Sequence, residues 1–313
     1  MPSTLGSNTF GGMFGIQNQI IKIIKERIYS LIHFNCPTDL NCQQCINIPQ
    51  SPAIIELKSA VYQTLDKVSE HDQEFKTMLV NDPNIIPHLI PHLILFVSQS
   101  QFNKKFDSQE QHDQQQPESS SSLSLITSSI TLLERLINNN SNNRKIVINT
   151  PNALHSLCPL SSYKLNIHFS QENDLQTLQV RHNSRECLLR IQLFGDLSAH
   201  SELVNARYAR VLVIAISTAG GTGEEQYGEI YDGLSRISDF LRVLNKGTYS
   251  FPPQPLLAHI SNEQIEEEGG NEEVEAQLIN KWDYDGIKIW ANEAKRGILN
   301  YFIEQGNTKP NWY

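Results

Sequence analysis

Residues 64–89 read TLDKVSEHDQEFKTMLVNDPNIIPHL, and residues 132–157 read LLERLINNNSNNRKIVINTPNALHSL. The two align without a gap at an offset of 68 residues. Leu65 meets Leu133, Val68 meets Leu136, and Leu79 meets Val147. Asn81, Pro83 and Asn84 meet Asn149, Pro151 and Asn152, so the turn is kept along with the apolar positions. Charge type is kept too, at Asp66/Glu134, Lys67/Arg135 and Lys76/Arg144. Self-similarity at a fixed spacing marks a repeat architecture, in which each unit buries its apolar face against its neighbours. A fainter third copy follows at a further offset of 55–56, with Leu188 and Ile191 in the places of Leu133 and Leu136.

Working outward, helical spacing dominates. Ile16, Ile20, Ile24, Ile28 and Ile32 predict an amphipathic helix that ends before Pro37. Ser51-Pro52 starts the next helix, with Ser as N-cap and Pro in the first turn. A short helix is expected over 72–80, a break at 81–84, and an apolar helix over 85–97, bent or restarted at Pro87 and Pro91. Residues 99–122 are rich in Gln, Asp, Glu and Ser and read as a disordered polar insertion. Helical periodicity resumes at Leu123, and 138–143 reads as a polar loop. Tyr163 to Phe169 alternates like a strand but has no obvious partner, so an extended connector is expected. Further helices are expected near 173–195, 200–206, 207–217, 225–246, 272–281 and 286–304. Loops are expected at 218–223, 250–255 and 265–275.

Subtracting the insertion from the offset leaves a repeat in the low forties, within the armadillo and HEAT range. Leu133-Glu134-Arg135-Leu136, then Asn143-Arg144-Lys145-Ile146-Val147, then Asn152-Ala153-Leu154-His155-Ser156-Leu157 follow the order of the armadillo consensus. The chain thus resembles the armadillo-repeat family over roughly 50–245. The resemblance implies an all-α, right-handed superhelical solenoid of about four degenerate repeats. The expected organisation is a flexible segment 1–15, a cap helix and first repeat over 16–98, the insertion 99–122, further repeats and a C-terminal cap over 123–305, and a tail 306–313. It further implies a non-enzymatic protein-binding scaffold that docks partners on its concave face. In family members that clamp extended peptides, an Asn of Leu-x-Asn-Leu lines that face. Lys67, Arg135 and Arg190 stand in its place here. These three are the candidate partner-binding residues, a cationic strip suited to acidic segments.

Composition narrows the alternatives. Hydrophobic residues at 39% and charged residues at 19% are globular values. A net charge of -9 argues against general nucleic-acid binding. The apolar runs are too short and interrupted to span a bilayer, and residues 1–15 do not read as a signal peptide. A cytoplasmic or nuclear protein is the expectation. Five cysteines, sparse and odd in number, do not form a disulfide framework.

No catalytic group and no cofactor are expected. Ala219 to Gly223 lacks the Lys and Ser/Thr of a phosphate loop. His88 and His92 lie four apart without the Glu of a metalloprotease helix and are read as packing histidines. His33, Cys36, Cys42 and Cys45 fall within 13 residues, so a zinc-binding regulatory module is an alternative to a loop of reduced thiols. A helical accessory domain of a larger enzyme such as a protein kinase is another. Trp282, Tyr284, Trp290, Tyr301 and Phe302 are read as the core of a terminal cap.

Overall fold

The computed structural model describes residues 19–36, 40, 42–49, 51–106, 120–138, 140–164, 170–217, 227–279 and 285–299. Among these residues the protein is all-helical, with one isolated parallel bridge, Phe34 to Ile46. After a π-helical turn Ile24–Ile28 and a 3-10 turn Tyr29–His33 come thirteen α-helices. They are α1 Pro52–His71, α2 Gln73–Asn81, α3 Ile85–Phe106, α4 Ser120–Ile137, α5 Ser141–Asn149, α6 Ala153–Leu160 and α7 Gln171–Phe194. Then follow α8 Leu197–Asn205, α9 Tyr208–Ser217, α10 Tyr227–Lys246, α11 Pro255–Glu267, α12 Gly270–Ile279 and α13 Asp285–Leu299. No described helix is long and apolar enough to cross a membrane.

The chain divides into two compact units: 1–150 with 175–180, and 151–174 with 181–313. In the first, α4 packs against both α1 and α3. Leu65, Leu132, Leu133 and Ile137 are fully buried there. Small polar residues let α1 and α4 approach: Ser59 Oγ lies 2.7 Å from Ser124 Oγ and accepts from Ser128 Oγ at 3.2 Å. In the second unit, α10 packs against α9 and α13, burying Leu234, Ile237, Phe240 and Leu241.

Local chemistry explains where the helices begin. Ser51 caps α1, Asp72 caps α2, Asn140 caps α5 and Asp196 caps α8, each side chain accepting a hydrogen bond from a first-turn backbone N–H. Left-handed residues stand just before three later helices: Asn152 before α6, Arg207 before α9 and Gly269 before α12.

Several expectations shift. Helix α3 runs unbroken through Pro91, and it and α4 reach into the polar segment at 99–106 and 120–122. Gln, Asn, Lys and Ser extend an existing helix at little cost, because propagation is easier than nucleation. The polar loop at 138–143 shrinks, because capping by Asn140 starts α5 at Ser141. The acidic segment 265–275 is largely helical rather than a loop, with only Glu268 and Gly269 between α11 and α12, and α11 itself is a helix the sequence does not predict. Pro255 sits in the first turn of α11 and Gly269 turns the chain at φ 74°. A Cβ on Gly270 would lie 2.5 Å from Ile265 Cγ2, so this close helix–helix joint needs a glycine. Residues 107–119, the connector at 165–169, the Gly-rich loop at 218–223, and Trp282, Tyr284, Tyr301 and Phe302 lie outside the described residues.

Candidate functional site

In the N-terminal unit the 3-10 turn ends at His33, and the chain reverses to lay Ile46 beside Phe34. Asn35 donates its N–H to the Ile46 carbonyl at 3.0 Å, and Ile46 returns one to the His33 carbonyl at 2.9 Å. Asn35 takes a φ of 45° to allow this, and its side-chain Oδ1 holds the N–H of Ile48 at 2.7 Å. The two short segments carry Cys36, Cys42 and Cys45, all free thiols.

This loop sits against the start of α3. One ligand atom each from His33, Cys36, Cys42 and His88 lies within 4.8 Å of the others. His33 Nδ1 is 3.2 Å from Cys42 Sγ. The His33 and His88 rings meet edge to face, centroids 4.9 Å apart. His88 is 5% exposed, and its Nδ1 is 2.5 Å from the Asn84 carbonyl. That bond places the proton on Nδ1 and leaves a lone pair on Nε2. Nε2 is buried and has no partner. Cys36 donates its thiol to the His33 carbonyl at 3.2 Å, while its N–H points to Cys45 Sγ at 3.2 Å.

The surroundings are buried and cationic. Lys58 on α1 is 6% exposed, with Nζ 3.4 Å from His92 Nε2. Burial lowers the Lys58 pKa, and nearby Cys36 and Cys45 oppose that shift. Burial, then the Lys58 and His88 charges, bring His92 down to about 3, so it is neutral in the fold. Burial and the hydrogen bonds with Cys45 and Cys42 push the Cys36 thiol up to about 12. Burial and His88 lower His33. Two thiols and two imidazoles converging in one place form a soft donor set.

The spacing in the sequence pointed to His33, Cys36 and Cys42 but offered Cys45 as the fourth member. The structure supplies His88 instead, from a helix 43 residues further on. His92, its neighbour on α3, faces Lys58 and Tyr62.

Two of the three residues of the expected cationic strip, Arg135 and Arg190, are paired within the chain. Lys67 is exposed on α1. Arg135 on α4 forms an ion pair with Asp66, including an Nη2–Oδ2 contact of 3.3 Å, and Glu70 is 3.9 Å away. Arg190 on α7 pairs with Glu186 at 3.5 Å.

The C-terminal unit holds a denser charge network. Glu229 on α10 meets His182 Nδ1 at 2.6 Å and Arg185 Nη1 at 3.1 Å. Burial raises the Glu229 pKa, but the His182 hydrogen bond and the Arg185 charge outweigh it, and the carboxyl falls to about 2. Arg236 pairs with Glu186 at 2.5 Å and with Asp232 at 3.2 Å. His200, 1% exposed, stacks against Phe240 and tilts onto Phe251.

No protein-family model matches the chain, and neither curated proteins nor solved structures give a significant match.

Proposed function

We propose that the chain is a non-enzymatic protein-binding scaffold built as an armadillo-like right-handed solenoid of about four degenerate repeats. The observation that carries this reading is a recurring triplet. A long helix, a nine-residue helix and a third helix follow one another as α1–α2–α3, α4–α5–α6 and α7–α8–α9. The three middle helices are each nine residues long and carry Asp or Asn side-chain caps. A fourth triplet, α10–α11–α12, has a thirteen-residue middle helix. The packing of α4 on α1 and α3 agrees with the alignment of 64–89 with 132–157, since a repeat buries its face on its neighbour.

The docking face of this reading runs along α1, α4 and α7, the first helices of the first three triplets. Lys67 is the exposed cation available to an acidic segment on α1. Arg135 is available only by exchanging Asp66 for a partner carboxylate, and Arg190 only by exchanging Glu186. The test is capture of partners by the full chain from cells that make it, identified by mass spectrometry. Lys67→Glu is the cleanest arm, because it changes exposed charge alone. Arg190→Glu is the second. Arg135→Glu adds a third carboxylate beside Asp66 and Glu70, so it is read only alongside a melting curve. The expected outcome is a defined set of proteins that Lys67→Glu loses at least tenfold with unchanged helicity. Full capture by both Lys67→Glu and Arg190→Glu rules out this face.

A further inference from the structure

We propose that His33, Cys36, Cys42 and His88 form a tetrahedral two-thiolate, two-imidazole zinc(II) site that ties the loop at 33–46 to the first turns of α3. The inference stands apart from the scaffold reading and survives its failure.

Three features of the geometry lead to this assignment. The four donor atoms already lie within 4.8 Å of one another, although they come from two separate parts of the chain. Tetrahedral ligation at about 2.0–2.3 Å sets ligand atoms roughly 3.3–3.8 Å apart, so the cluster needs only a small contraction. The His33–Cys42 pair, at 3.2 Å, is already that close.

His88 is prepared as a ligand. A metal-binding imidazole donates its second ring N–H to a carbonyl or carboxylate, which fixes the tautomer and aims the other nitrogen. The Asn84 carbonyl does this for His88, and the Nε2 it frees is buried with no hydrogen bond of its own. A buried polar atom without a partner is costly, and a metal ion is one of the few things that would satisfy this one.

The outer contacts suit a thiolate site. Backbone loops place the thiols: Cys36 lies two residues after the bridge at Phe34, and the Cys45 N–H turns back to the Cys42 carbonyl at 3.2 Å. Lys58 is buried within electrostatic reach of Cys36 and Cys45 and offsets negative charge gathered there. Cys45 is a flanking thiol, bonded to the Cys36 N–H and to Asn47 at 3.4 Å. Two thiolates with zinc(II) make a neutral centre, whose formation releases the two thiol protons to solvent.

The test uses the full chain, purified after growth with added zinc, with elemental analysis as readout. The wild type is expected to carry about one zinc per chain. His88→Ala and Cys42→Ser should fall at least tenfold in occupancy, while Cys45→Ser should keep the metal. His88→Cys guards against simple misfolding. It should retain the ion and, loaded with cobalt(II), show stronger thiolate-to-metal absorption than wild type. Wild-type protein that is zinc-free and gives no tetrahedral cobalt(II) bands overturns the proposal. Metal lost in Cys45→Ser but retained in His88→Ala overturns this ligand set.

Discussion

His88 and His200 have nearly the same local geometry in the two units. Each is buried, each aims Nδ1 at the carbonyl four residues before it, and each leaves Nε2 without a hydrogen bond. What surrounds them differs. His88 looks onto a second imidazole and two thiols, whereas His200 is held between Phe240 and Phe251. An orphaned imidazole nitrogen is therefore ambiguous by itself, and the neighbouring donors decide what it can bind. The same contrast extends outward. The N-terminal unit gathers thiols and imidazoles near its loop, while the C-terminal unit pairs buried charge with its own residues, around Glu229 and Glu186.

If that contrast is right, the largest loss should follow from opening the charge network. Glu229→Ala removes the carboxylate 3.1 Å from Arg185, whose side chain is 3% exposed, and breaking such a buried pair costs about 3–5 kcal/mol. Urea denaturation of the full chain measures this. The pH dependence has a definite sign. Glu229 is depressed from 4.5 to about 2, so its contribution is complete above pH 4.5 and disappears as pH falls toward 2. Glu229→Gln should flatten that part of the stability profile.

The repeat makes a second claim that crosses the two units. Leu133 in the first and Leu188 in the second align in the sequence, and both are fully buried. Leu133→Ala and Leu188→Ala should each cost about 2–5 kcal/mol, the range for cavities in packed helical cores. Costs differing by more than about 2 kcal/mol would show that the two positions are not structural equivalents.

The smallest expected effect sharpens the comparison most. His200→Phe replaces an imidazole that lies against Phe240 and Phe251. Removing the unsatisfied Nε2 offsets the lost Nδ1–H bond to the Asp196 carbonyl and the slightly larger ring, so stability should change by only about 1 kcal/mol. The matching change, His88→Phe, should instead abolish metal retention. Thermal melting of His200→Phe and metal content of His88→Phe together separate the two environments.

Local signals in the sequence were reliable where physics is local. Ser51-Pro52 and Asp72 set the starts of their helices within a residue, and the apolar positions of α4 set its end, because capping and amphipathic burial act over a turn; its start lies three residues before Leu123. Helix α11 is hidden in the sequence because Pro252 and Pro253 before it and the Glu run at its end carry loop signals, while its core, Leu256 to Ile265, is only about three turns long. The candidate metal site was half legible. His33, Cys36 and Cys42 announce themselves by spacing, but His88 arrives through tertiary packing, and no period in the sequence links it to them. Arg135 read as a free cation because its partner, Asp66, lies 69 residues away on a different helix.

One joint recurs just before α6, α9 and α12, filled in turn by Asn152, Arg207 and Gly269, all left-handed. Asn and Gly tolerate that backbone, whereas an Arg there costs of order 1 kcal/mol relative to Gly. Arg207 also makes a solvent-exposed ion pair with Glu267 at the end of α11. The same hinge is thus filled by an amide, by a hydrogen atom and by a cation. Only the last brings with it a contact that weakens as the salt concentration around it rises.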